Sequence, residues 1–123
     1  MLSVTKKFGF CYGHNLPDYE GKCRINHGHN SEVEVEFADI GLPAYPGMII
    51  DFNDIKGVVG PIIEELDHKT LNNAMPQEYQ PPTAENICKY LVEQIQLTSI
   101  GESLVRLRIT ETPTSWAEWK EYV

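Results

Sequence analysis

The chain has 123 residues, 41% of them hydrophobic, which is enough for one domain with a buried core. Its 18 acidic and 10 basic residues give a net charge of −8, which argues against binding to nucleic acid or to an anionic membrane surface. No apolar run approaches the roughly 20 residues of a spanning helix. The N-terminal residues form no secretory signal, and the three cysteines are an odd number. We therefore expect free thiols in a cytoplasmic protein.

Two strands are predicted first. Phe8, Phe10 and Tyr12 share one parity of a strand over residues 4–12, and His14 continues that parity. The second strand, over residues 29–37, alternates apolar residues with glutamates. The later predicted elements are a short strand at 48–51, a helix from 51 to about 66, a loop over 67–82, a helix from 83 to about 97, a strand over 104–112 and a last strand over 116–123.

This order of elements predicts a single α+β domain over residues 1–123. Strands and helices in the order ββααββ favour an antiparallel sheet with two helices on one face. Asp51 and Thr83 are suitable N-caps for the two helices, and Pro61 is expected to kink or split the first one. Apart from the short segment at 48–51, this order has four strands, which make a thin structure for so many inward positions. Our hypothesis is that sheets of neighbouring subunits associate to complete it.

The strongest indication of function is a set of three histidines. His27 and His29 form a His-x-His pair whose side chains point the same way if the strand extends back to them. His14, at the end of the neighbouring strand, lies on the matching parity. A lone His-x-His is more often a surface feature, but three imidazoles in this arrangement are typical of a catalytic zinc site with one open position.

Cys23 lies four residues before His27 and allows two interpretations. As a fourth ligand it would close the site and make it structural. As a free thiol near a cation it would act as a base or nucleophile. The spacing alone leaves both open.

The Asp67–His68 pair and Glu111 each allow two interpretations, one as part of a functional site and one as solvent-exposed groups. The sequence pattern favours neither. Asp67 and His68 form a carboxylate–imidazole pair that suits proton transfer, or they are a solvated helix end. Glu111 continues the inward parity of Val105, Leu107 and Ile109. It is either a buried carboxylate that binds a ligand with two parallel N–H donors, or a group that meets water at a frayed strand end. Cys11 and Cys88 are expected to be buried packing residues.

Six motifs follow one another over residues 10–112. They are Phe10-x3-His14-x-Leu16, Cys23-x3-His27-Gly28-His29-Asn30, Ile50-Asp51-Phe52, Leu66-Asp67-His68-x2-Leu71-Asn72, Pro82-Thr83-x-Glu85-Asn86 and Glu111-Thr112. In type and order these motifs resemble those of the 6-pyruvoyl-tetrahydropterin synthase family, which includes the bacterial 6-carboxy-5,6,7,8-tetrahydropterin synthases of queuosine biosynthesis.

The resemblance implies the tunnelling fold, with subunits joined into a barrel, commonly a homohexamer of two stacked trimers. It implies zinc on the three histidines and makes Cys23 a proton carrier rather than a fourth ligand. Asp67 and His68 would complete a relay with Cys23 across a subunit interface, and Glu111 would anchor the pterin through its 2-amino and N3–H groups. The implied site residues are His14, His27 and His29 for zinc, Cys23, Asp67 and His68 for catalysis, and Glu111, Thr83, Glu85 and Thr112 near the pterin.

The Cys-x3-His-Gly-His spacing resembles the carboxy branch of the family. That branch implies conversion of 7,8-dihydroneopterin triphosphate to 6-carboxy-5,6,7,8-tetrahydropterin, with release of triphosphate and acetaldehyde. The alternatives are the pyruvoyl reaction, which eliminates triphosphate without carbon–carbon cleavage, and an inactive zinc- or pterin-binding module. The chain departs from the family pattern at Cys11-Tyr12-Gly13, which replaces Ala-Ala before the first histidine, and at Ser31, which replaces an aromatic residue.

Overall fold

Two long strands form a hairpin with one apolar face. In the computed structural model, which describes residues 1–41 and 45–121, β1 (Ser3–His14) pairs antiparallel with β2 (His27–Ala38) along its whole length. Even-numbered residues of β1 and odd-numbered residues of β2 form the inner face, which is buried towards the core. The register places His14 opposite His27 and Tyr12 opposite His29, so the strand pairing itself gathers the histidines.

Within the described residues, the sheet has five strands in the order β3-β1-β2-β4-β5. The added strands are β3 (Lys69–Thr70), β4 (Leu104–Thr112) and β5 (Ser115–Lys120). All pairings are antiparallel except that of β3, which runs parallel to β1. The predicted count of four strands missed β3, because two residues are too few to show an alternating pattern. The last strand is described to Lys120, and its predicted residues 122–123 lie outside the described part of the chain.

The helices cover the inner face and complete the core. They are α1 (Phe52–Glu64), α2 (Leu71–Ala74) and α3 (Ala84–Gln96). α1 packs on β1, and α3 packs on β4 and β5. Ile87, Leu91 and Ile95 recur at helical spacing along α3 and are fully buried. This arrangement confirms the predicted α+β class. None of the described helices is both long enough and apolar enough to cross a membrane.

Three local predictions are wrong. The predicted loop over 67–82 contains β3 and the short helix α2. Residues 48–51 form no strand: Met48 makes only an isolated bridge with Tyr45, and Asp51 serves as the N-cap of α1. α1 also continues through Pro61 as one helix, so the predicted split does not occur. Val59 and Ile63, on either side of the proline, are both buried, so packing holds the two halves together despite the lost hydrogen bond. The connection between β2 and the segment 48–51 includes residues 42–44, which lie outside the described residues.

The outer face of the sheet is polar and laced with ion pairs between β2 and β4. Glu36 lies 2.7 Å from Arg106, and Glu34 lies 3.1 Å from Arg108. The Arg108 guanidinium also stacks 3.9 Å above the Trp116 ring. Hydrogen bonds from Ser3 and then Arg106 lower the pKa of Glu36. Glu34 and Glu36 are therefore paired with arginines of β4, whereas Glu32 lies 3.5 Å from Lys7 of β1.

Thr83 caps α3, as predicted, and its removal should destabilise the protein. Its hydroxyl accepts a hydrogen bond from the Asn86 backbone N–H at 3.1 Å. Thr83→Ala leaves that N–H without its partner, and we expect a loss of about 1 kcal/mol in the free energy of unfolding. Urea denaturation measures the loss, and Thr83→Ser is the matched control because serine keeps the hydroxyl. Equal losses in both variants would contradict a capping role.

Candidate functional site

Three imidazoles meet at the open end of the β1–β2 hairpin. The Nε2 atom of His14 lies 3.0 Å from Nε2 of His27 and 3.1 Å from Nε2 of His29. His14 is the most enclosed of the three, with 1% of its surface exposed, whereas His27 and His29 are half-buried. The structure therefore brings together the three histidines singled out in the sequence, on the inner face of the sheet.

Backbone carbonyls hold two of these rings from behind. Nδ1 of His14 lies 2.7 Å from the carbonyl oxygen of Pro82, and Nδ1 of His27 lies 2.7 Å from that of Ile25. A carbonyl only accepts hydrogen bonds, so each Nδ1 carries the proton and donates it. Each Nε2 is then left with a lone pair. Two lone pairs 3.0 Å apart repel each other unless a cation lies between them.

This donor set fits a metal ion. Neutral imidazole is a preferred ligand of zinc, and a carbonyl behind the ring is the usual way in which the binding tautomer is fixed. Nitrogens at tetrahedral corners around zinc are about 3.3–3.4 Å apart, close to the observed spacing. Burial lowers the pKa of His29; the Glu111 carboxylate opposes that shift, and the neighbouring imidazoles add to it. Low basicity keeps the ring neutral and available as a ligand.

Glu111 points at the same cluster. Its Oε1 atom lies 3.4 Å from Nε2 of His14 and 3.5 Å from Nε2 of His29. The sequence of β4 offers no basic partner on the same face as Glu111. The two imidazoles that Glu111 contacts belong to β1 and β2 instead. The side chain is 32% exposed, so it lies at the rim of the cluster with one side open. A carboxylate facing imidazole lone pairs is a second reason for a cation here.

The two unusual positions of the sequence lie on this inner face. Tyr12 is 3% exposed, and its ring packs 5.2 Å from that of His14 and 5.5 Å from that of His29. Burial raises the pKa of its hydroxyl well above the ordinary value, so it stays protonated. Ser31 is also buried and donates its hydroxyl proton to the Thr110 carbonyl. Tyr12 thus forms a wall beside the histidines, and Ser31 is satisfied within the sheet.

The proposed catalytic residues lie in two separate places in one chain. Cys23 is exposed in a single 3-10 turn, Lys22–Arg24, and its carbonyl accepts a hydrogen bond from Leu16 N at 2.7 Å. Among the described residues, Cys23 belongs to neither group of side chains that could hold a metal. Asp67 and His68 are paired with each other, with Nδ1 of His68 3.0 Å from Oδ2 of Asp67.

The remaining predicted residues are spread around the start of α3 and the end of β4. The Thr83 hydroxyl is engaged as the α3 cap. Glu85 lines a pocket between α3 and β5, together with Cys88 and Trp119. The Thr112 hydroxyl lies 3.4 Å from that of Thr114. Each of these three side chains therefore has a different environment in the single chain.

The structure corrects the interpretation of Cys11 and adds a pair of asparagines. Cys88 is buried as expected, but Cys11 is half-buried and contacts Asp67 through its backbone, so it is not a packing residue. The Asn72 side chain accepts from Asn15 N at 3.0 Å and donates to the Asn15 carbonyl at 2.9 Å, which fixes the chain directly after His14. Asn72 stands in the Leu71-Asn72 motif, so the sequence did contain a signal for it.

Comparison with known proteins agrees with this geometry. The family described as 6-pyruvoyl tetrahydropterin synthase matches residues 3–122. A protein of Archaeoglobus fulgidus named "Putative 6-carboxy-5,6,7,8-tetrahydropterin synthase" is 36% identical over 109 residues, covering 89% of this chain and 87% of that protein. A Synechocystis protein named "6-carboxy-5,6,7,8-tetrahydropterin synthase" is 32% identical over 123 residues, covering 97% of this chain and 93% of that protein.

Solved structures share the fold at lower sequence identity. The 6-pyruvoyl tetrahydropterin synthase of Caenorhabditis elegans aligns with a TM-score of 0.85 at 23% identity, over 98% of this chain and 96% of that one. The Plasmodium falciparum protein of the same name aligns with a TM-score of 0.67 at 19% identity, over 99% of this chain and 98% of that one. With the match over nearly all its residues, the chain belongs to the 6-pyruvoyl tetrahydropterin synthase family.

Proposed function

We propose that this protein is a zinc-dependent 6-carboxy-5,6,7,8-tetrahydropterin synthase of the lyase type. It would convert 7,8-dihydroneopterin triphosphate to 6-carboxy-5,6,7,8-tetrahydropterin and release acetaldehyde and triphosphate. The observation that carries the proposal is the convergence of three imidazole Nε2 atoms, in a family whose members make tetrahydropterins. The names of the curated relatives support the carboxy product.

The pyruvoyl reaction is the second candidate. It is favoured by the names of the solved structures that share the fold, but their identity to this chain is below 25%. The carboxy reaction is favoured by relatives at 32–36% identity and by the three-residue gap between Cys23 and His27. We therefore place the carboxy reaction first.

Each side chain then has a defined task. His14, His27 and His29 would hold zinc, which when bound supplies Lewis acidity to the hydroxyls of the substrate side chain. Cys23 would carry a proton to and from the substrate, in exchange with His68. Asp67 would hold the His68 ring by its Nδ1–H, as in other oriented imidazoles. Tyr12 closes one side of the cluster and keeps water away from it.

The relay requires more than one subunit. Cys23 lies in the loop between β1 and β2, whereas Asp67 and His68 lie between α1 and β3. Among the described residues, the Cys23 thiol does not join Asp67 and His68 in a group of ligand atoms within 4.8 Å of one another. We propose that Cys23 of one subunit meets Asp67 and His68 of another in a homo-oligomer, which the family resemblance makes a hexamer. We place the enzyme in the cytoplasm, as a single domain of the queuosine pathway.

Incubation of zinc-loaded protein with 7,8-dihydroneopterin triphosphate tests the proposal. We expect mass spectrometry to detect 6-carboxy-5,6,7,8-tetrahydropterin, and an alcohol dehydrogenase assay to detect one acetaldehyde for each product molecule. Triphosphate release without acetaldehyde would select the pyruvoyl reaction. Unchanged substrate with a fully metallated protein would select the binding-module alternative.

Glu111→Gln tests the assignment of this carboxylate to the pterin. The amide keeps the shape of the side chain but loses one acceptor and the charge that suits two parallel N–H donors. We expect KM to rise by at least about tenfold while zinc remains bound, because a charge-assisted hydrogen bond contributes about 1.5–3 kcal/mol. Steady-state kinetics and metal analysis measure the two effects. Loss of zinc from the purified variant, together with loss of turnover, would instead make Glu111 a metal ligand.

A further inference from the structure

A second group of metal-ligating side chains lies on the opposite face of β1. Cys11, Asp67 and His68 each bring one ligand atom to a common place, with all three atoms within 4.8 Å of one another. Side chains alternate along a strand, so Cys11 points away from the inner face that holds Tyr12 and His14. The cluster is therefore separate from the three histidines.

The backbone fixes this second cluster. Cys11 N donates to Oδ1 of Asp67 at 2.9 Å, and His68 N donates to the carbonyl of Cys11 at 2.6 Å. His68 has a φ of 59°, a left-handed conformation that is costly for a residue with a β-carbon. The parallel pairing of Tyr12 with Lys69 follows immediately. The two hydrogen bonds and this strand pairing hold the strained backbone. They pre-position the His68 ring and the Asp67 carboxylate beside the Cys11 thiol.

The chemistry of the three groups suits a borderline or soft divalent cation. Thiolate, imidazole and carboxylate are the ligand types of zinc sites, and hard cations such as magnesium prefer oxygen alone. The Cys11 N–H holds the pKa of Asp67 below its ordinary value, so the carboxylate is charged. Cys11 Sγ lies 3.0 Å from Oδ1 of Asn30. Rotation of that amide would present its NH₂ group to a thiolate.

The cluster is also accessible. Cys11 and His68 line an open pocket of about 400 Å³, to which Tyr12 and His29 also contribute. The His68 side chain is 77% exposed, and its Nδ1 lies 3.0 Å from Oδ2 of Asp67. An incoming cation would replace the proton of the thiol and leave one coordination position for water or for an external ligand.

We propose that Cys11, Asp67 and His68 form a second site for a zinc-like divalent cation, distinct from the site of the three histidines. The site depends on residues of this chain alone and does not depend on the proposed function. One consequence of the site does rest on the proposed function. A cation bound here would occupy Asp67 and His68 and so inhibit a reaction that needs them for proton transfer.

Cobalt(II) titration of the metal-free protein tests the site, because cobalt bound to thiolate absorbs in the near ultraviolet and cobalt bound only to histidine lacks this charge-transfer band. We expect two equivalents per chain, with the band arising during the second. Cys11→Ser should abolish the band and keep the first equivalent, whereas Cys23→Ser should keep both. His68→Ala, at an exposed position, should weaken the second equivalent at least tenfold.

Three results would overturn the second site. They are uptake of a single equivalent without a thiolate band, a band that survives Cys11→Ser, and a band that disappears in Cys23→Ser. The last result would identify Cys23 as the thiolate ligand. Failure of the second site leaves the first equivalent and the product assay untouched, so it is distinguishable from failure of the proposed function.

Discussion

His27→Ala should release the metal from the three-histidine site and abolish turnover. The ring contributes one of three converging Nε2 atoms, and His27 is half-buried at the end of β2, so the variant should fold. Loss of an outer-shell partner alone weakens metal binding by 10–100-fold, and we expect loss of a direct ligand to cost at least about 100-fold. Competition with a chelator measures the affinity, and the product assay measures turnover.

His68→Ala is the control for this experiment. It removes the fourth histidine of the chain, which lies outside the three-histidine cluster, so the tightly bound equivalent should remain. If His27→Ala bound zinc as tightly as the unaltered protein, the three-histidine site could not be the metal centre. If both variants lost the same affinity for the metal ion of the three-histidine site, the cause would be a general loss of structure. Circular dichroism would reveal such a loss.

Cys23→Ala should lower kcat by roughly 10²-fold or more while zinc stays bound, because a positioned proton-transfer group contributes about that much to the rate. Cys23 is exposed, so we expect an unchanged melting temperature. Steady-state kinetics and metal analysis on the same preparation check both expectations. The separation of Cys23 from the histidines in the chain favours this outcome over a closed four-ligand site.

Cys88→Ala is the matched control for the thiol. Cys88 is buried against β4, and burial raises the pKa of its thiol to about 11, so it takes no part in proton exchange near neutral pH. The control should lose some stability and keep its kcat. Unchanged kcat in Cys23→Ala would refute the proton-carrier role. Loss of zinc together with the Cys23 thiol would show that this cysteine is a ligand.

The features that were predictable from the sequence are those with a regular spacing. Period-two alternation located β1, β2 and β4, and the same parity rule placed His14, His27 and His29 on one face. The caps at Asp51 and Thr83 were also predictable, because each is a polar residue immediately before a helical apolar pattern.

The missed features depend on tertiary contacts without a periodic signal. β3 is two residues long and exists because it follows a fixed contact between His68 and Cys11. The carbonyls of Ile25 and Pro82 that orient the imidazoles leave no trace in the sequence, since every residue has one. The approach of Glu111 to His14 and His29 joins three strands, and single-strand parity does not give the register between them.

The hydrogen bond between His14 and Pro82 has a consequence for the order of folding. The three imidazoles are separated by only 13 and 15 residues and come together as soon as the β1–β2 hairpin closes. The carbonyl that orients His14 lies 68 residues away and arrives only when α3 has docked. Local contacts form before distant ones because closing a long loop costs more entropy. The nascent hairpin would therefore bind a metal ion loosely at first, and tight retention would mark the completed domain.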